Sequence, residues 1–255
     1  MLSLRFPQFL RREKLTVHLH ALCWNEARLL PYFFRHYDPV VDRYFVYDNR
    51  STDGSLELLE RHPRVVLGTF EFGESFVRAA TEHYNQCWKQ SRGQADWVFI
   101  VNIDEHLYHP HLMEYLRACK RHGVTVILPE GYNMISDTFP TTAKPLWKTI
   151  RYGARDPIWD KAEFFDPNRI EEINFVEGRH TASPSGEVVY PRTVRTKLLH
   201  FKYLGADYLV GRHAELASKI PSEDFAKGWA YQYMWDRERN LEELQRCRAN
   251  AVRVV

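Results

Sequence analysis

Apolar and polar positions along the first half of the chain fall into blocks of two kinds. Short runs rich in β-branched and aromatic residues, Thr16 to Cys23, Arg43 to Tyr47, Val65 to Gly68, Trp97 to Val101 and Val124 to Leu128, read as strands. Between them lie stretches with helical spacing of apolar positions. Leu29, Leu30, Phe33 and Phe34 follow Asn25-Glu26, with Pro31 near the helix start; Leu56, Leu58 and Leu59 follow the loop Asp48 to Ser55. The segment Phe76 to Gln90 is long and helix-compatible, Gly93 terminates it, and Pro110 to Arg121 forms a further helix. Strands alternating with helices predict an α/β protein with a mainly parallel central sheet flanked by helices.

The fourth strand carries the strongest signal. Trp97-Val98-Phe99-Ile100-Val101 is apolar at every position, as in a strand covered on both faces, and it ends abruptly in Asn102-Ile103-Asp104-Glu105-His106. Open α/β sheets bind ligands in the crevice beyond the carboxyl ends of their strands. Clustered carboxylate and amide oxygens there suit Mg²⁺ or Mn²⁺; a plain acidic turn is the structural alternative. After Pro129 the rhythm breaks into turns and short extended pieces punctuated by prolines. A charged helical stretch from Ser222 to about Asn250, carrying Trp229, Tyr233, Trp235 and Leu241, is expected to close the fold. No flexible polar linker divides the chain, so residues 1–255 are expected to form one domain, with an elaborated second half from about residue 131.

Composition narrows the function classes. With 44% hydrophobic and 14% aromatic residues the chain can build a sizeable core, which excludes wholesale disorder. A formal charge of +2 does not argue for nucleic acid as a partner. Cys23, Cys87, Cys119 and Cys247 are widely spaced, without Cys-x-x-Cys, so neither a zinc motif nor a disulfide framework is suggested and a reducing compartment fits. No segment approaches the roughly 20 apolar residues of a membrane span. Leu2, Leu4, Phe6, Phe9 and Leu10, with flanking arginines, suit either peripheral contact with an anionic membrane surface or a packed N-terminal arm.

The loop Asp48-Asn49-Arg50-Ser51-Thr52-Asp53-Gly54-Ser55 offers carboxylates and backbone N–H groups around a small ligand; helix capping by Asp53 and an Asx-turn at Asp48-Asn49 are the structural alternatives. It holds neither Gly-x-Gly-x-x-Gly nor Gly-x-x-x-x-Gly-Lys-Ser/Thr, so dinucleotide-oxidoreductase and P-loop readings lose their main support. Trp24-Asn25-Glu26, the Asp48 to Ser55 loop and Asn102-Ile103-Asp104-Glu105, in this order after strands one, two and four, resemble the motifs of GT-A-fold glycosyltransferases, close to the family-two group and relatives with a "DIDE"-type motif. The resemblance covers about residues 15–130.

That resemblance implies a nucleotide-sugar donor, UDP-sugars favoured, bound by the half spanning about 15–130, and a glycan or glycolipid acceptor bound by about 131–255. It implies a donor-facing set of Asn25, Glu26, Asp48, Asn49, Asp53, Asn85, Asn102 and Lys161. It also implies Mn²⁺ or Mg²⁺ on Asp104 and Glu105, with a later ligand from His200 first or His180 second. Asn102 stands where the first aspartate of Asp-x-Asp usually sits and brings no charge. For an inverting reaction the acceptor needs a base, and among Asp137, Asp160, Glu163 and Glu177 the expectation falls on Asp160, beside Trp159, with Glu177 second. Lys161, Arg179, Arg195 and Lys202 are candidate diphosphate partners, and Tyr132, Trp147, Trp159, Phe164 and Phe165 candidate sugar platforms. By analogy, the setting is bacterial surface polysaccharide or lipopolysaccharide synthesis on the cytoplasmic side of the membrane. A nucleotidyltransferase is disfavoured because Cys23-Trp24-Asn25-Glu26-Ala27-Arg28 lacks a Gly-rich basic loop; a catalytically silent glycan- or nucleotide-binding module is the remaining rival.

Overall fold

A computed structural model describes residues 14–194 and 196–255. The apolar and basic N-terminal arm and Arg195 lie outside the described residues. In chain order the elements are β1 (Val17–Cys23), α1 (Leu30–Tyr37), β2 (Arg43–Asp48), α2 (Ser55–Arg61), β3 (Val65–Thr69), α3 (Phe76–Gln86), β4 (Trp97–Ile100), β5 (Glu105–Tyr108), α4 (Leu112–Arg121), β6 (Val126–Ile127), β7 (Glu130–Ser136), β8 (Tyr152–Arg155), β9 (Phe164–Phe165), β10 (Ile170–Glu172), β11 (Ser185–Gly186), β12 (Lys197–Leu204), α5 (Ala206–Lys219), α6 (Ser222–Ala226), α7 (Arg237–Ala249) and β13 (Ala251–Arg253).

The result is a mixed α/β fold. A first sheet runs β3-β2-β1-β4-β9-β6, with the first four strands parallel and β9 antiparallel between β4 and β6. A second runs β13-β8-β7-β12-β5, and β10 pairs with β11 alone. The apolar run of β4 is explained by its two faces: Trp97 and Phe99 enter the core shared with α1 and β12, while Val98 and Ile100 enter a second cluster with Tyr84 and Trp88. Burial of both faces removes the need for polar alternation.

Between β4 and β5 the chain leaves the first sheet and enters the second, turning over residues 101–104. β5 was not legible: Glu105-His106-Leu107-Tyr108 reads as the acidic end of β4, yet it pairs antiparallel with β12, His200 opposite Glu105. Tyr37 holds it by donating to the Glu105 carbonyl (2.9 Å) and accepting from the Leu107 N–H (2.9 Å). His106 packs in the core, stacked on His36 at 4.5 Å and edge-on to Phe201. Burial holds its pKa well below the usual value, so the neutral ring serves as one more aromatic.

Other boundaries shift for local reasons. The helix expected to Gln90 gives way after Gln86 to a 3₁₀ turn, Cys87–Ser91, and the strand expected over Val124 to Leu128 shortens to two residues. The closing helix expected from Ser222 to Asn250 is interrupted between α6 and α7, where Gly228 (φ 76°) and Ala230 (φ 55°) adopt left-handed backbone. No helix among the described residues is long and apolar enough to cross a membrane.

Candidate active site

A cavity of about 960 Å³ opens at the carboxyl ends of β1, β2 and β4, where the two sheets meet. Asp104, on the turn after β4, lines it; β12 delivers His200 beside it because Phe201 N–H bonds the Asp104 carbonyl (2.8 Å) and side chains alternate along the strand. The Asp104 Oδ2 lies 3.1 Å from His200 Nε2, while His200 Nδ1 is 2.9 Å from Asn133 Oδ1. Asn133 in turn donates through Nδ2 to Asp156 Oδ2 (2.9 Å), which leaves its Oδ1 to accept and assigns the His200 proton to Nδ1. His200 Nε2 therefore faces the carboxylate either as an N–H donor or, with a divalent cation between them, as a lone pair; adjacent ligands in octahedral geometry stand about 3 Å apart. Burial opposes ionisation of Asp104, but His200 first, then Lys161 and Arg212, outweigh it and hold the carboxyl at about 2. Among the described residues no third histidine, cysteine or carboxylate joins this pair in a metal-sized cluster, so other positions on a cation fall to water and ligand oxygens.

Glu105, read from the sequence as the second ligand, faces the other way. It is fully buried, with Oε1 2.5 Å from Lys161 Nζ and Oε2 accepting from the Asn102 N–H at 2.8 Å. β9 places Glu163 alongside: Arg179 reaches its carboxylate at 2.7 Å and Lys161 at 3.5 Å. Arg179 also donates to Asn102 Oδ1 at 2.6 Å. Two acidic and two basic side chains thus form a buried cluster beneath the Asn102–Asp104 turn. Lys161, read as a donor contact, is only 1% exposed and committed to this cluster, though it and Arg179 also line the cavity floor. Burial pushes Glu163 up to about 7 against the pull of Arg179.

The remaining sequence candidates divide. Glu26 and Asn49 line the cavity; burial raises Glu26 to about 7 against Arg212, which it meets at 2.6 Å. Asn25 braces loops, with its side chain on Glu215 (2.7 Å) and the Thr52 N–H (2.8 Å). Asp53 accepts from the Ser55 and Ala27 N–H groups and Asp48 from the Ser51 N–H, so both brace the loop, while the cap position of α2 falls on Gly54 and not on Asp53. Asn85 is a clamp whose amide makes both bonds to the Phe175 backbone. Asp160 does not line the cavity and is bonded to the Gly131 N–H (2.8 Å) and Arg155 (2.5 Å). Glu177 stands exposed at the cavity rim. His180 lines the cavity too but is apart from Asp104, bonded to the Ile158 carbonyl, with burial lowering its pKa to about 4.

Sequence reasoning missed Asn133 and Asp156, four residues from the expected Asp160. It also missed Arg212 on α5. Trp159 lies over His200, ring centroids 3.8 Å apart. It reaches that position because Gly131 leaves room: a Cβ there would stand 2.3 Å from the Trp159 Cβ. Lys202, two positions after His200 on the cavity face, has its pKa lowered to about 8 by burial despite the nearby charge of Asp104.

No protein-family model matches the chain. A glycosyltransferase family 92 protein of Oryza sativa subsp. japonica is 25% identical over 107 residues, covering 42% of this chain and 18% of that protein. One of Arabidopsis thaliana is 26% identical over 106 residues, covering 39% and 18% respectively. The chain thus matches less than a fifth of the length of these relatives. Among solved structures, S. aureus TarS 1-349 in complex with UDP-GlcNAc has a TM-score of 0.44 at 12% identity, covering 80% of this chain and 66% of that one.

Proposed function

We propose that this chain is a glycosyltransferase that moves a sugar from a nucleotide-diphosphate sugar, a UDP-sugar first, to a hydroxyl of a glycan or glycolipid. The ordered motifs after β1, β2 and β4 support this reading, as does the similarity to proteins named family 92 glycosyltransferases. The observation that carries it is the Asp104–His200 pair facing one cavity, with the carboxylate oxygen and ring nitrogen 3.1 Å apart. These two residues would hold Mn²⁺ or Mg²⁺, which supplies positive charge against the diphosphate leaving group. Lys202, with no carboxylate in ion-pair reach among the described residues, meets the same diphosphate from the cavity wall.

For an inverting reaction the base passes from Asp160, which is tied to Arg155, to Asp156, which lines the cavity. Asp156 takes the acceptor proton as the hydroxyl oxygen bonds to the anomeric carbon; the bond from that carbon to the diphosphate breaks, and the nucleoside diphosphate departs. Glu177 at the rim is the second choice. The same reading sets the enzyme at the cytoplasmic face of the membrane, in surface-polysaccharide or lipopolysaccharide synthesis. A screen of nucleotide sugars by nucleoside-diphosphate release, with Mn²⁺ and varied glycan acceptors, tests the assignment. Asp104→Ala should abolish metal-dependent release while the chain stays folded by circular dichroism. Metal-independent UDP binding in titration calorimetry, together with no donor turnover, would instead favour the silent binding module.

A further inference from the structure

Trp229, Tyr231, Tyr233 and Trp235 occupy alternate positions in one seven-residue stretch. The sequence reading set three of them on a closing helix, where such spacing scatters side chains around the axis. The structure instead draws them into a strap between α6 and α7, and all four line the cavity. The strap is tied at both ends. Fully buried Asp224 accepts from Ser75 Oγ (2.5 Å) and the Phe76 N–H (2.9 Å), capping α3, while its carbonyl accepts from the Trp229 N–H (2.9 Å). At the other end Asp236 caps α7 through the Arg239 N–H (2.8 Å), and Asn240 donates to the Trp235 carbonyl (3.0 Å).

This end of the cavity is built on α5, β12 and α7, whereas the loops of the donor reading belong to β1, β2 and β4. Tyr233 packs edge-on to His213 with centroids 5.1 Å apart, and Tyr231 lies 6.0 Å from Trp235. Tyr231 is 60% exposed at the mouth. Large rings normally bury their faces in a core, and holding several at a wet cavity wall costs stability unless a ligand covers them. Hydrogen-bonding groups stand among the rings: Gln232 and Glu243 line the same wall, and the Arg239 guanidinium lies 5.2 Å from the Trp235 ring. Flat apolar faces bordered by donors and acceptors match a pyranose ring, which presents C–H groups on its faces and hydroxyls around its edge.

We propose that this strap is a saccharide-binding subsite, with sugar rings stacked on Tyr231 and Trp235. Calling that saccharide the acceptor rests on the transferase reading; the binding of sugar there does not. The test is a glycan array probed with labelled protein in the presence of UDP and Mn²⁺, alongside calorimetric titration of UDP. Wild type should bind a subset of glycans; Tyr231→Ala, at an exposed position, and Trp235→Ala should each lower those signals at least tenfold, Trp235→Phe should restore most of the loss, and UDP affinity should stay within twofold. Wild type binding no glycan, variants with unchanged glycan signals, or variants that lose UDP instead would overturn the proposal. The array needs no turnover, so an absent transferase activity would defeat the functional reading without deciding this one.

Discussion

At residue scale, Asn102 is the most instructive position. Its departure from the usual aspartate looks like a lost metal ligand in the sequence, but its side chain links Arg179 (2.6 Å) to Glu105 (3.4 Å). An aspartate there would set a third carboxylate against Glu105 and Glu163, with only Lys161 and Arg179 to balance them. Asn102→Asp should therefore lower stability by ~1–3 kcal/mol, the scale of an unsatisfied buried polar group. An unchanged or higher Tm would sink this account. Gly131 carries a second prediction. A methyl group has no room against the Trp159 Cβ at 2.3 Å, so Gly131→Ala should cost ~1–3 kcal/mol by overpacking and loosen the Trp159–His200 contact. Thermal unfolding measures the first effect, and a rise in KM for the donor measures the second.

At the scale of elements, the site depends on strands too short to announce themselves. β9 has two residues, yet its antiparallel pairing with β4 brings Lys161 and Glu163 under the Asn102–Asp104 turn. Glu163 gives this arrangement a pH signature. Its pKa rises from 4.5 to about 7 on folding, chiefly through burial, so between those values the folded chain holds a proton that the unfolded chain has released. The stability owed to that proton is complete below about 4.5 and declines as pH rises towards about 7. Wild type should accordingly lose stability relative to Glu163→Gln across this window in urea unfolding at successive pH values. Parallel curves for the two proteins would show that Glu163 does not titrate there.

At the scale of the whole molecule, one apolar cluster joins Val17, Leu19 and Phe99 of the first sheet to Leu199 and Phe201 of the second. The cavity opens where these sheets meet, so its shape depends on their remaining packed together. Phe201→Ala removes a fully buried ring from the shared core and should cost ~3–5 kcal/mol. Unfolding should remain a single transition in both proteins. Two separated transitions would mean that the halves unfold independently despite the common core.

The sequence by itself determined a mainly parallel sheet built from strands alternating with helices, and the order of the polar loops, because apolar runs, helix spacing and turn residues are local properties; the spatial order β3-β2-β1-β4 was not among them. It also determined that Asp104 follows closely on a strand buried on both faces. The family resemblance named His200 first as a partner for Asp104, but only the tertiary structure shows what brings the two together: His200 lies 96 positions later, and the β5–β12 register that joins them leaves no periodic trace. The same non-local pairing decided that Glu105 turns into a buried ion cluster and that Asp156, not Asp160, faces the cavity. A carboxylate's role is set by the partners that surround it, and those partners came from β7, β12 and the segment at β9, brought together by pairing between strands distant in sequence.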